Sequence, residues 1–157
     1  MPLIEATRTQ LWLAPHVWVD VREQIYLARQ VLDPSTTLDE AARDGILNGE
    51  LLPDWYDEWV HFERERLRQL RLHALEILAQ RLMAEGRYGQ AVETALAALR
   101  GEPLRESAHR VLIASYLAEG NRAEGIRQYR LYRDLLRRKL GVEPCREIEA
   151  LMEGLPA

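Results

Sequence analysis

The chain has 157 residues, 47% of them hydrophobic and 29% charged, which is enough for one domain with a packed core. Its net charge of −4, from 21 Lys and Arg against 25 Asp and Glu, argues against a chain that grips a phosphate backbone by itself. No stretch approaches the roughly 18 apolar residues of a membrane span, Met1-Pro2-Leu3-Ile4-Glu5 lacks the layout of a signal peptide, and the lone Cys145 permits no internal disulfide, so the cytoplasm is the expected compartment.

Leu11–Leu13 and Val17–Val19 are short apolar runs around Ala14-Pro15-His16, a pattern compatible with a small hairpin, although Pro and His make a poor two-residue turn. Asp20 is expected to cap a helix reaching about Leu32, with Val21, Ile25, Ala28 and Leu32 at helical spacing. Asp33-Pro34 stops it, because proline disfavours helix in the residue before it. A shorter helix is expected from Leu38 to Ile46. Gly49 to Trp59 is the most aromatic stretch and has no helical period before Pro53. It reads as an ordered loop leading into a helix near Asp54, with Trp55, Tyr56 and Trp59 as its anchor in the core rather than as an exposed contact surface. From Glu58 to Ala84 the pattern is helical with two apolar stripes, Leu67, Leu70, Ala74, Leu78 and Leu72, Leu75, Ala79, Leu82. Such a helix packs on two sides, inside a helical stack. Its length predicts a bend or break.

The C-terminal half repeats with a period of 34 residues: Glu85-Gly86-Arg87 returns as Glu119-Gly120-Asn121, Leu78 as Leu112 and Ala84 as Ala118. That period is the tetratricopeptide spacing. One unit is expected at about 72–105 and a second at about 106–140. Ala91, Ala95 and Ala98 supply a small face that lets two antiparallel helices approach closely. The last helix of the second unit ends near Leu140 at Gly141, and a short helix over about Arg146–Glu153 caps it. The expected fold is all-α, an antiparallel stack of about seven helices forming an α-solenoid. Residues 1–19 are a linker or remnant strands, and 20–157 form the domain. By tetratricopeptide geometry, first-helix residues His73, Glu76, Gln80, Met83, Ser107, Arg110 and Ala114 line a concave groove for a protein segment.

Little in the sequence points to catalysis. His16, His61, His73 and His109 share no close ligand spacing, and His73 and His109 read as partly exposed helix residues. Cys145 has no base or orienting group beside it in sequence. Glu63-Arg64-Glu65-Arg66 reads as a solvated, ion-paired helix face, and no glycine-rich phosphate loop is present. No enzymatic activity, cofactor or metal is expected. The segment 122–140 is basic, and Arg127, Arg130, Arg133, Arg137 and Arg138 form a candidate patch for an acidic partner or DNA phosphates. Its plainer reading is a solvated face whose cations favour a helix C-terminus.

Gly49-Glu50-Leu51-Leu52-Pro53-Asp54-Trp55-Tyr56-Asp57-Glu58-Trp59-Val60, followed by Glu63-Arg64-Glu65-Arg66-Leu67, resembles the signature of the bacterial transcriptional activator domain. Glu85-Gly86-Arg87-Tyr88, Glu102-Pro103-Leu104-Arg105-Glu106, Ala108-His109-Arg110 and Leu140-Gly141-Val142-Glu143-Pro144 resemble it in the same order, over about residues 18–153. In the Streptomyces antibiotic regulatory proteins and their relatives, such a domain follows a winged helix-turn-helix. The resemblance implies a transcription regulator's helical domain that supports dimerisation and contact with RNA polymerase subunits. Its partners are then proteins, including a second copy of itself. Direct DNA reading by these residues is not implied, since about 19 residues precede the first helix and no base-reading position carries over. The alternative is a tetratricopeptide-like adaptor unrelated to transcription.

Overall fold

The computed structural model describes residues 2–37 and 51–154. The helix expected at Leu38–Ile46 lies outside the described residues. Within them the chain forms a two-stranded antiparallel hairpin, β1 (Ile4–Ala6) and β2 (Leu11–Leu13), and then six helices. These are α1 (Asp20–Leu32), α2 (Glu58–Ala84), α3 (Tyr88–Gly101), α4 (Glu106–Ala118), α5 (Arg122–Leu140) and α6 (Arg146–Met152). The fold is an all-α stack with one small hairpin at its start.

The hairpin corrects the reading of 8–19. Leu11–Leu13 pairs backwards, with Ile4 opposite Leu13 and Ala6 opposite Leu11, and Val17–Val19 is not a strand. The turn lies at Thr7–Gln10, where Thr7 N–H donates to the Gln10 carbonyl and Thr7 Oγ1 accepts from the Gln10 N–H. Thr and Gln tolerate that turn, whereas Pro15 cannot donate to a ladder. Asp20 is not the cap of α1 but its first residue, and its carboxylate accepts from the Val21 N–H at 2.7 Å.

Helix α2 is continuous over its 27 residues, without a break. It contains no Gly or Pro, and its exposed side carries Glu63–Arg66 and Glu65–Arg68 pairs one turn apart. Residues of both stripes share one core, and Ala79 lies in a second. Leu72, Ala74, Leu75, Leu78 and Leu82 pack with Leu27, Ala28 and Val31 of α1 and with Ala91, Ala97 and Ala98 of α3. Ala79 meets Ala95 of α3 and Val111 and Leu112 of α4. Leu75, Leu78, Leu82 and Leu112 are almost wholly buried, each contributing roughly 2 kcal/mol.

The turns after α2 and α4 share one construction. Gly86 (φ 74°) and Gly120 (φ 87°) adopt the left-handed conformation. Arg87 N–H reaches back to the Leu82 carbonyl at 2.9 Å, and Asn121 N–H to the Tyr116 carbonyl at 2.8 Å. This Schellman pattern satisfies the last helical carbonyls and turns the chain straight into the next helix. Close approach takes a second form at Gly125 of α5, where an added Cβ would stand 2.9 Å from Leu117 Cδ2 of α4. Beyond α5, Ile148 of α6 packs with Ile113, Tyr132 and Leu136 and closes the end of the stack.

Candidate functional site

The groove residues fall on α2 and α4, which pack together, and their roles divide. His73 is exposed, and Gln80, Met83, Arg110 and Ala114 are half-buried. Met83 leans on the core shared by α1, α2 and α3. Glu76 is buried, with only 5% of its surface exposed. Its carboxylate accepts from Arg105 Nε at 2.5 Å, Arg105 Nη2 at 3.2 Å and Ser107 Oγ at 2.5 Å, while Arg105 Nη1 donates to Gln69 Oε1 at 3.0 Å. Glu76 and Ser107 thus spend their polar groups tying the start of α4 to α2. His73 Nδ1 stands 3.8 Å from the same carboxylate. Of the other polar residues expected on this face, His73 is exposed and Gln80 and Arg110 are half-buried.

Arg110 also faces α6. The Glu147 carboxyl is held below its ordinary range, first by the Cys145 thiol and more weakly by Arg110 and Arg146. The Cys145 backbone N–H donates to Glu106 Oε1 at 2.5 Å, and burial, with Glu147 and Glu106 nearby, pushes the thiol up. A thiol raised in this way is a poor nucleophile.

His109 is buried, at 5% exposure, rather than partly exposed. Its Nε2 lies 2.9 Å from the Pro103 carbonyl, which can only accept, so that nitrogen carries the proton. Nδ1 then accepts from Gln128 Nε2 at 3.1 Å. The ring stacks on Tyr132 with centroids 3.8 Å apart. Burial lowers the His109 pKa against the opposing effects of Pro103 and Glu106, and the neutral ring works as a brace between α4 and α5. The Tyr132 hydroxyl is buried without a hydrogen-bond partner among the described residues.

The basic residues of α5 are largely solvated. Arg127 pairs with Glu124 at 2.7 Å and Arg137 with Glu143 at 2.6 Å. Arg138 Nε donates to the Asp134 carbonyl, and Arg133 lies over the Tyr129 ring at 5.6 Å. Arg130 is exposed.

The aromatic segment is the clearest departure from expectation. Trp55, Tyr56 and Trp59 are 52%, 79% and 53% exposed, and Phe62 is 71% exposed, so they do not anchor the loop in the core. Arg64 does that instead, donating to the carbonyls of Leu51 at 2.7 Å, Leu52 and Trp55 at 3.0 Å. Leu52 adopts positive φ (47°) in this clamp. Behind the loop, a cavity of about 800 Å³ opens between α1, α2 and the end of α3, walled by Ile25, Leu52, Leu67, Leu70 and Leu75 among others. Of its ionisable lining residues, Arg64 holds the loop, and Arg68 binds Glu65 and Glu102. Among the described residues, no three His, Cys, Asp or Glu gather as metal ligands, and no helix is long and apolar enough to cross a membrane.

Residues 28–155 match the family description of the bacterial transcriptional activator domain. The chain is similar to the regulatory protein AfsR of Streptomyces griseus, 29% identical over 111 residues, covering 71% of this chain and 11% of that protein. It is equally similar to the regulatory protein AfsR of Streptomyces coelicolor, 29% identical over 110 residues, covering 70% of this chain and 11% of that one. The chain spans about a tenth of the length of these relatives. A helical stack over the described part of the match, glycine-closed turns and the Leu-Leu-Pro-Asp-Trp segment clamped by Arg64 accompany that match, and the chain belongs to the bacterial transcriptional activator domain family, a family of transcription regulators rather than of enzymes.

Proposed function

We propose that this chain is a protein-interaction domain of a transcription activator, acting in the cytoplasm through contacts with RNA polymerase and with a second copy of itself. The observation that carries the reading is the family match over residues 28–155, and it is supported by an α2–α4 face on which His73 is exposed and Gln80 and Arg110 are half-buried. In this reading 20–157 form the working unit and the two 34-residue units, 72–105 and 106–140, are tetratricopeptide-like repeats. Residues 1–19 lead in from a winged-helix DNA-binding domain elsewhere in the regulator, so promoter reading lies outside this chain. The partner lies along α2 and α4, where Ala114 leaves room between the polar groups. Glu76 and Ser107 shape that face by holding Arg105 and do not contact the partner.

The test is the affinity of the chain for purified RNA polymerase holoenzyme, measured by biolayer interferometry. The double substitution Gln80→Ala, Arg110→Ala is expected to weaken binding about tenfold or more while the circular dichroism spectrum stays unchanged. Unchanged affinity in the folded variant would exclude this face.

A further inference from the structure

Trp55, Tyr56, Trp59 and Phe62 stand in solvent close together at the start of α2. They are firmly held. Arg64 ties the carbonyls of Leu51, Leu52 and Trp55 to α2, and Trp55 meets Trp59 edge to face, with ring planes at 76° and centroids 6.4 Å apart. Two aromatic walls near a right angle make a corner. By helical spacing Glu58, Trp59 and Phe62 share the outer face of α2, opposite the buried Val60. Asp54, Asp57 and Glu58 are exposed among the rings. Asp57 is the N-cap residue, yet its side chain makes no cap hydrogen bond, so its carboxylate is not spent on the helix. Among the described residues no arginine or lysine pairs with these three acids: Arg64 is bound to the loop carbonyls, and Arg66, on the same outer face, pairs with Glu63 at 2.8 Å. His61 lines the cavity behind the loop.

We infer that the Trp55–Trp59 corner is a docking site for an arginine carried on a short, extended, basic segment of another protein. The site is separate from the α2–α4 face and does not depend on it. Charge chooses the occupant. A cation over a Trp face is drawn by the negative face of the ring, and a guanidinium is flat enough to stack there while its N–H fork meets a carboxylate. A lysine ammonium has no flat face and holds its water more tightly. The exposed acids repel nucleic-acid phosphates and anionic lipid headgroups, so a cation is the charge this surface fits. Area chooses the size. Rings half to three-quarters exposed offer roughly 500 Å² in all. A stable globular interface takes roughly 800 Å² from each partner. The patch therefore suits a few residues of extended chain, not a folded domain.

The test follows the indole N–H signals of the 4 tryptophans in nitrogen–proton correlation spectra of the full chain. The probe is a short Gly-Ser peptide carrying a pair of arginines, with lysine and citrulline counterparts. The arginine peptide is expected to move the signals of Trp55 and Trp59 and to leave Trp12 and Trp18 in place. The lysine peptide is expected to bind about threefold or more weakly, and the citrulline peptide, which keeps the shape and loses the charge, about tenfold or more weakly. Trp59→Ala and, separately, Asp57→Asn/Glu58→Gln are each expected to weaken the arginine peptide about fivefold or more, with the circular dichroism spectrum unchanged. No movement of Trp55 and Trp59 at saturating peptide, or equal binding of the arginine and citrulline peptides, overturns the inference. Weakening by Asp57→Asn/Glu58→Gln but not by Trp59→Ala also overturns it, since general attraction between a basic peptide and an acidic chain would then suffice. Movement of Trp55 and Trp59 with duplex DNA or phosphatidylserine vesicles, and not with the peptide, overturns the occupant. None of these outcomes bears on the α2–α4 face, whose polymerase affinity is read with its own variants.

Discussion

Replacing Glu76 with alanine removes a carboxylate that ties the start of α4 to α2. The side chain is 6% exposed and its oxygens accept three hydrogen bonds, two from Arg105 and one from Ser107. Two limits bracket the cost. A solvent-exposed pair is worth about 0.5 kcal/mol, and a charge stranded in a dry interior costs about 3–5 kcal/mol. Arg105 remains 19% exposed and retains Gln69 Oε1 at 3.0 Å, so the stranded guanidinium regains some water and keeps one partner. The expected loss is therefore about 2–3 kcal/mol for Glu76→Ala. Glu76→Gln keeps the shape and drops the charge, and is expected to cost about 1–2 kcal/mol. Urea unfolding followed by circular dichroism reads both values, and a double-mutant cycle with Arg105→Ala is expected to return a coupling of about 2 kcal/mol. A loss below about 1 kcal/mol with coupling near zero would refute the reasoning: the pair would then behave as a surface ion pair, and Glu76 would be free to serve the groove.

Three further outcomes follow from the buried polar groups and the tight helix contact. Because burial holds His109 below its ordinary value of 6.5, the unfolded chain takes up a proton before the folded one does. Its contribution to stability is present above that value and lost as pH falls through the region below it. Thermal unfolding at pH 7 and pH 5 is expected to show a smaller drop for His109→Gln than for the native chain, and an equal drop would contradict the buried neutral ring. Tyr132→Phe removes a buried hydroxyl that has no partner among the described residues and keeps the stack on His109, so urea unfolding is expected to show a gain of up to about 1 kcal/mol. A loss of that size would mean that the hydroxyl is satisfied. Gly125→Val places a branched side chain where a bare Cβ already stands 2.9 Å from Leu117, and a loss of about 1–3 kcal/mol is expected from the denaturation midpoint.

What was legible in the sequence was local or periodic. Ala91, Ala95 and Ala98 mark the small face of α3 because close helix approach admits nothing larger, and all three are buried. Gly86 and Gly120 announce their turns because a left-handed residue after a helix is strongly selected for glycine. The family signature was legible because its motifs recur in order. What was missed depends on partners distant in sequence. Helical spacing places Glu76 on the groove face, but Arg105, 29 residues on, draws it into the interior. Trp55 and Trp59 read as core by hydrophobicity, yet Arg64 supplies the anchor through backbone carbonyls, and carbonyls leave no trace in side-chain pattern. His109 lies on the same face as apolar neighbours, but only the approach of Pro103, Gln128 and Tyr132 reveals that its ring is buried and satisfied. The hairpin failed for a related reason: Ile4–Ala6 is too short to signal a strand without its partner.

The central claim, that the domain works by docking a protein along α2 and α4, is tested most directly by hydrogen–deuterium exchange with and without RNA polymerase holoenzyme. Slowed exchange is expected over residues 73–83 and 107–114, where His73, Gln80 and Arg110 stand, with β1 and β2 unchanged. Protection confined to the hairpin, with exchange in α2 and α4 unaltered in a complex that forms, would contradict it.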